Sequence, residues 1–365
     1  INNYTEILLP ISFTDEDGIV YHLVNDISEE DFKEQVQIIG WLYQYYNSEP
    51  KDKVFANLKK NIKISKENIP AATQLFTPDW IVRYMVENSL GRLWTDGHGN
   101  FDKSQWKYYL DEAEQEENVK AQLQKIRKEY QNISPEDIKF IDPCMGSGHI
   151  LVYAFDVFMQ IYLSQGYIER DAAQLIIQKN LYGMDIDKRA YQLSYFALMM
   201  KARQYDRRFL TREIKPNLVG FGAIAEENID ITFLDDKLVK FTEQFKNADT
   251  YGSLMEVGQF DSYETEKLIN SIDDGSMAMD SKPALEKMLL AYRILSQKYD
   301  ICCTNPPYMG GSGMDVKLSD YVKKNYPDSK SDLFACFIER CGKYAKTNGY
   351  YAMITQHAFM FLSSY

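Results

Sequence analysis

Lys139-Phe140-Ile141-Asp142-Pro143-Cys144-Met145-Gly146-Ser147-Gly148-His149-Ile150 is the stretch that decides the fold. Lys139, Phe140 and Ile141 read as a short apolar strand, and residues 150–165 as a helix that is apolar nearly all round. Strand, glycine turn and buried helix in that order make the first unit of a doubly wound α/β sheet, whose ligands bind at the carboxyl ends of its strands. Small residues are needed in the turn because a Cβ would hold a ligand away from the backbone amides at the helix start. No Gly-Lys-Ser/Thr follows, so this is not a Walker phosphate loop, and a Gly-x-Gly by itself fits many nucleotide ligands.

A second unit follows at the expected distance. Leu181-Tyr182-Gly183-Met184-Asp185 reads as a strand ending in an acidic residue, with a helix over 186–202. A carboxylate at that tip can accept both hydroxyls of a ribose. The competing role for Asp185 is a helix N-cap, and Asp187 competes for both. Residues 215–221 read as a third strand. The apolar run 299–303 returns as a further strand and delivers Thr304-Asn305-Pro306-Pro307-Tyr308. Taken alone, Asn-Pro-Pro-Tyr is a turn closing a strand. Its chemistry also suits the exocyclic amino group of a planar base, since an amide oxygen and a proline carbonyl both accept from an NH2 and a tyrosine ring offers a stacking face. The glycine-rich residues 309–314 then read as a loop that orders over a substrate. Ser331 or Asp332 caps the next helix, and residues 349–355 form the following strand.

Ahead of the first unit, Thr77 is placed to cap a helix that begins at Pro78 and buries Ile81, Val82, Met85, Val86 and Leu90. Residues 1–70 form a mainly helical region, including a helix over 28–46, and residues 71–365 the α/β domain, with helical insertions over 96–136 and 225–298. With 45% apolar and 14% aromatic residues in 365, the chain is globular. A net charge of -12 excludes a surface that is basic all over, so much of any phosphate-binding surface lies elsewhere. The five cysteines have no zinc spacing and suit a reduced, cytoplasmic interior, and no stretch reads as a membrane span or secretory signal. No metal site is expected. Cys302 and Cys303 read as small core residues, and His149 and His357 as packing or capping groups.

In the order of a Phe-Thr-Pro helix, Asp-Pro-x-x-Gly-Ser-Gly, Gly-Met-Asp-Ile-Asp and Asn-Pro-Pro-Tyr, the chain resembles the gamma-class adenine-N6 DNA methyltransferases. It is closer still to the methyltransferases of BREX (bacteriophage exclusion) defence systems in Thr73-Gln74-Leu75-Phe76-Thr77-Pro78-Asp79-Trp80, in 142–150 and in 305–314. This resemblance covers most of residues 29–365. It implies a Rossmann-like sheet and S-adenosylmethionine as cofactor, with Phe76 and Thr77 on the cofactor side, Asp142, Cys144, Gly146, Ser147 and Gly148 around its methionine part and Asp185 on its ribose. It also implies catalysis by Asn305, Pro306, Pro307 and Tyr308 on a flipped-out adenine of double-stranded DNA, in phage defence or restriction-modification, with other defence-system subunits as partners. Proteins of this kind carry a target-recognition domain after the catalytic core, which is missing from this stretch. Two rival readings change the substrate or the class: a protein-glutamine methyltransferase, whose amide presents a similar planar NH2, and a non-catalytic scaffold that binds cofactor, DNA or partner proteins.

Overall fold

A computed structural model describes residues 77–361 apart from 228 and 274, together with 18, 21, 22, 25, 26, 45, 48–60, 62–65, 68, 69 and 72. Apart from residue 45, the helix expected over 28–46 lies outside the described residues, as does Phe76.

Five parallel strands, Phe140–Asp142 (β1), Leu181–Asp185 (β2), Asn217–Gly220 (β3), Tyr299–Thr304 (β4) and Ala345–Met353 (β5), lie in the order β3-β2-β1-β4-β5. Alternate side chains leave a strand on opposite faces. Phe140, Leu181, Leu218, Ile301 and Cys303 enter one apolar core, while Ile141, Tyr182, Val219, Tyr299 and Cys302 enter the other. Strands covered on both faces read as unbroken apolar runs, which is why β1, β2 and β4 stand out in the sequence. Regular pairing of β5 begins at Tyr350, after a break between Tyr299 and Ile301 in its register with β4; Asn348, at φ 65°, turns the chain there.

Helices flank the sheet. Asp79–Val86 (α1) and His149–Ser164 (α3) pack together over the first core, and Glu117–Tyr130 (α2) covers its margin. Lys188–Tyr205 (α4) follows β2. The span expected as an insertion over 225–298 holds the helices Asp236–Glu243 and Ser262–Asn270 and ends in Lys282–Ser296 (α5). α5 buries Leu285, Met288, Leu289, Tyr292 and Leu295 and packs on β3, so it covers the second face on the way back to β4. Val316–Asn325 (α6) and Leu333–Tyr344 (α7) lie between β4 and β5. Among the described residues no helix is long and apolar enough to cross a membrane.

The chain winds from β1 outward to β2 and β3, then crosses to the other side of β1 for β4. That reversal opens a crevice at the carboxyl ends of β1 and β4, where doubly wound sheets take their ligands.

Candidate functional site

The glycine turn after β1 sits at this crevice. Met145 donates its N–H to the Met184 carbonyl at 3.0 Å, tying the turn to β2. Gly146 and Gly148 both have positive φ, 52° and 85°. Their reasons differ. A Cβ on Gly148 would stand 2.5 Å from the Ser194 Oγ, so glycine lets α3 start directly against α4. A Cβ on Gly146 would meet nothing within 4 Å, and the open side of its backbone is room for a ligand. Ser147, half-buried, lies between them.

Two side-chain links staple three neighbouring strand tips. The Gly146 N–H donates to Asp185 Oδ2 at 2.9 Å, joining the β1 turn to β2. The Thr304 hydroxyl donates to Asp142 Oδ1 at 2.6 Å, joining β4 to β1. Asp142 also accepts from the Cys144 N–H at 3.1 Å, yet its fully buried Oδ2 has no hydrogen-bond partner among the described residues. Burial pushes the carboxyl groups of both Asp142 and Asp185 up to about 7, against the hydrogen bonds that would lower them. Asp187 is the N-cap of α4, accepting from the Arg189 N–H, while Asp185 accepts from Gly146 and from the Asp187 N–H at 2.8 Å. The competition between the two acids is thus divided: Asp187 caps and Asp185 faces the turn. A carboxylate has about four acceptor positions, so two amide bonds leave Asp185 capacity for hydroxyl donors.

Asn305 follows β4 with its side chain fixed from both ends. Its Nδ2 donates to the Thr77 Oγ1 at 3.1 Å, and its Oδ1 lies 3.1 Å from the Tyr308 hydroxyl. That hydroxyl has one proton and a shorter bond, 2.7 Å, to the Ile354 carbonyl beyond β5. The Asn305 oxygen therefore keeps acceptor capacity. Pro306 is buried, and the Tyr308 ring is half-buried with the Phe334 ring 5.9 Å away at 34°. The helix start differs from the sequence expectation. α1 begins at Asp79 with Pro78 as N-cap and no side-chain cap, because the Thr77 hydroxyl is used across the fold on Asn305. His149 accepts the role of local brace: its Nδ1 lies 3.1 Å from the Thr77 carbonyl and its Nε2 3.5 Å from Asp79 Oδ1.

Nor is the glycine-rich stretch after Tyr308 a free loop. Gly310 bridges Asp332, Gly311 donates to the Ser331 carbonyl at 2.9 Å, and Met309 donates to Asp332 Oδ1 at 3.0 Å. Asp332 also caps α7 through the Phe334 N–H, so one carboxylate serves both segments.

Cys144, Gly146, Asp185, Asn305 and Pro307 line one cleft. Asp142 and Gly148 lie buried behind it, and Thr77 reaches it through Asn305. The rest of the lining was not foreseen. It comes from Thr250, Tyr251, Gly252, Ser253 and Leu254, inside the span expected to be an insertion without chemistry, and from Leu318, Leu333 and Phe337. Only Gly252-Ser253, a small-residue pair in a polar stretch, hinted at a close approach. An open glycine cradle and a tip carboxylate on one mainly apolar cleft, with an unsatisfied carboxylate oxygen buried behind the glycine turn, fit a nucleoside ligand with a cationic end.

The Eco57I restriction-modification methylase family matches residues 179–365. Over its whole length the chain is 42% identical to the adenine-specific methyltransferase PglX of Lacticaseibacillus casei (strain Zhang) and 41% identical to the adenine-specific methyltransferase BrxX of Escherichia coli O9:H4 (strain HS). It covers 32% of each, so it spans about a third of the length of these curated relatives. Among solved structures, a nuclease-deletion mutant of the Type ISP restriction-modification enzyme LlaGI in complex with a DNA substrate mimic overlays loosely, at a TM-score of 0.43 and 13% identity over 87% of this chain and 20% of that one.

Proposed function

The chain belongs to the Eco57I restriction-modification methylase family, and from that premise we propose that it is the catalytic portion of a DNA methyltransferase that modifies the N6 amino group of adenine. S-adenosylmethionine, when bound, supplies an electrophilic methyl group. Gly146 and Cys144 would border its amino-acid part, Asp142 would support that wall from behind, and Asp185 would accept from its ribose hydroxyls. An adenine within a duplex cannot present its amino nitrogen to the donor, so the base must be extruded from double-stranded DNA. Asn305 Oδ1 and the Pro306 carbonyl would accept the two amino hydrogens, drawing the nitrogen lone pair out of ring conjugation and aiming it along the line of transfer. Tyr308 would stack on the base, a contact worth about 1 to 3 kcal/mol. The protein contributes geometry and oriented dipoles, and no cysteine nucleophile takes part. The match to a restriction-modification methylase family supports placing the activity in restriction-modification, and the resemblance of residues 73–80, 142–150 and 305–314 to the methyltransferases of BREX systems extends the reading to phage defence.

The observation that carries this reading is the meeting of Gly146, Asp185 and Asn305 on one cleft, although they come from three different strand ends. Incubation of the full-length protein with methyl-labelled cofactor and DNA tests it. Label is expected in adenine, lost in Asn305→Ala, while calorimetric binding of the cofactor to that variant is kept. A parent protein that binds no S-adenosylmethionine would overturn the reading.

A further inference from the structure

The cleft has a direction. Asn305 marks the β4 tip, the glycine turn the β1 tip and Asp185 the β2 tip, and these strands are neighbours in the order β2-β1-β4. A donor whose methyl lies toward Asn305 and whose ribose lies at Asp185 has its nucleobase beyond the ribose, against the rest of the cleft lining. Ile186 and Asp187 follow Asp185 in the lining of the cleft, and Thr250, Tyr251, Gly252, Ser253 and Leu254 line the same cleft, with Gly252 against Ile186.

We propose that residues 250–254 form the subsite for the adenine ring of the methyl donor, so that the donor's nucleoside end is held by this segment and not by the strand-tip motifs. This rests on the reading of the cleft as a S-adenosylmethionine site. Three features carry it. The segment lies directly on the residue after Asp185: at Gly252, φ 52°, a Cβ would stand 2.4 Å from Ile186 Cγ2, so only glycine permits the approach. The surface it shares with Ile186, Leu318 and Phe337 is apolar, as a flat heteroaromatic ring requires, and the Tyr251 ring is held flat by Tyr321 at 4.0 Å and 15°. Its backbone is fixed with unusual care. Buried Arg340 donates to the carbonyls of Ser253 at 3.0 Å and Met255 at 2.6 Å. The Tyr344 hydroxyl donates to the Ser253 carbonyl at 2.7 Å and that of Tyr326 to the Leu254 carbonyl at 2.6 Å. The Ser253 hydroxyl donates to the Pro143 carbonyl at 2.6 Å, coupling the segment to the glycine turn itself. A binding wall works when the residues behind it lock its geometry.

Two measurements on the full-length protein test the proposal. Irradiation with a photoreactive azidoadenine analogue of the donor should label the peptide containing 250–254, and excess S-adenosylmethionine should suppress the label. Label confined to the residues just after β3, 221–225, would overturn it. Independently, Tyr251→Ala should weaken binding of both S-adenosylmethionine and methylthioadenosine, which has the nucleoside end without the amino acid, by about tenfold. Tyr251→Phe should restore both. A Tyr251→Ala protein that melts like the parent and binds methylthioadenosine as the parent does would reject the subsite while leaving the methyltransferase reading intact. A parent protein that binds S-adenosylmethionine in no measurable way would reject both.

Discussion

The Asn305 amide and the Thr77 hydroxyl meet at 3.1 Å across 228 positions of chain. With Nδ2 held by Thr77, the amide plane of Asn305 is set before any substrate arrives, and its oxygen is turned to the side that remains. Thr77→Val keeps the shape and removes the acceptor. Methylation is expected to fall by roughly 10- to 100-fold through misplacement of Asn305, with cofactor affinity close to the parent's and Thr77→Ser restoring the rate. Equal loss of rate and cofactor affinity would show that Thr77 acts on the cofactor instead.

The Thr304–Asp142 bond lies in the fully buried layer, and Asp142 Oδ2 already lacks a partner there among the described residues. Thr304→Val removes the shortest of the bonds Asp142 does have. The expected cost is about 1 to 3 kcal/mol, the penalty for leaving a buried acceptor unmet, read as a lower urea midpoint at unchanged slope. A midpoint equal to the parent's would mean that β1 and β4 are held by packing alone.

Stability of the free protein should depend on pH in two opposed ways. Asp142 and Asp185, pushed up to about 7 by burial, hold protons in the fold that the unfolded chain has lost above about 4. The fold is therefore expected to lose stability as pH rises from about 4 to about 7 and to level off above that. Asp79 runs the other way. The hydrogen bond to His149, followed by the pairing with Arg83, holds its carboxyl down at about 2, so its contribution is present above its unfolded value and is lost as pH falls from about 4 toward 2. Urea titrations across this range, repeated on Asp142→Asn, check both limbs: the variant should lose the Asp142 share of the upper one, keep the share that Asp185 contributes, and leave the lower unchanged.

Arg340 is buried, and its guanidinium donates to the main-chain carbonyls of Ser253, Met255 and Leu295. Arg340→Met fits the volume of the stem but leaves those oxygens unmet. A loss of about 1 to 3 kcal/mol is expected, the penalty for a buried acceptor left unmet, and Arg340→Lys should recover only part of it because an ammonium cannot match the guanidinium fork. Chemical denaturation of the three proteins decides.

The residues that could be read from the sequence are those whose reason is local. β1, β2 and β4 are apolar runs closed by Asp142, Asp185 and Asn305, and a strand buried on both faces leaves that mark whatever surrounds it. Thr77 misled because Thr-Pro before an apolar period is a sound capping signal; the partner that takes its hydroxyl lies in another strand's loop. The wall at 250–254 left no periodic mark, since its position is imposed by Arg340, Tyr344 and Tyr326, far downstream. Its one local sign was Gly252, and a glycine in a polar stretch has many other reasons to be there. α5 was hidden for a different reason: it closes a polar span whose average character masked the apolar face of its last helix.

The stapled strand tips also bear on how the protein is made. Asp142 leaves the ribosome 162 positions ahead of Thr304, the residue that satisfies its carboxylate. Until β4 is synthesised, the central strand lacks both the Thr304 hydroxyl on Asp142 and the strand that pairs with its open edge. The β1 edge that pairs with β4, the Thr304 hydroxyl on Asp142 and the Asn305 side of the cleft are therefore all completed only once β4 has been made.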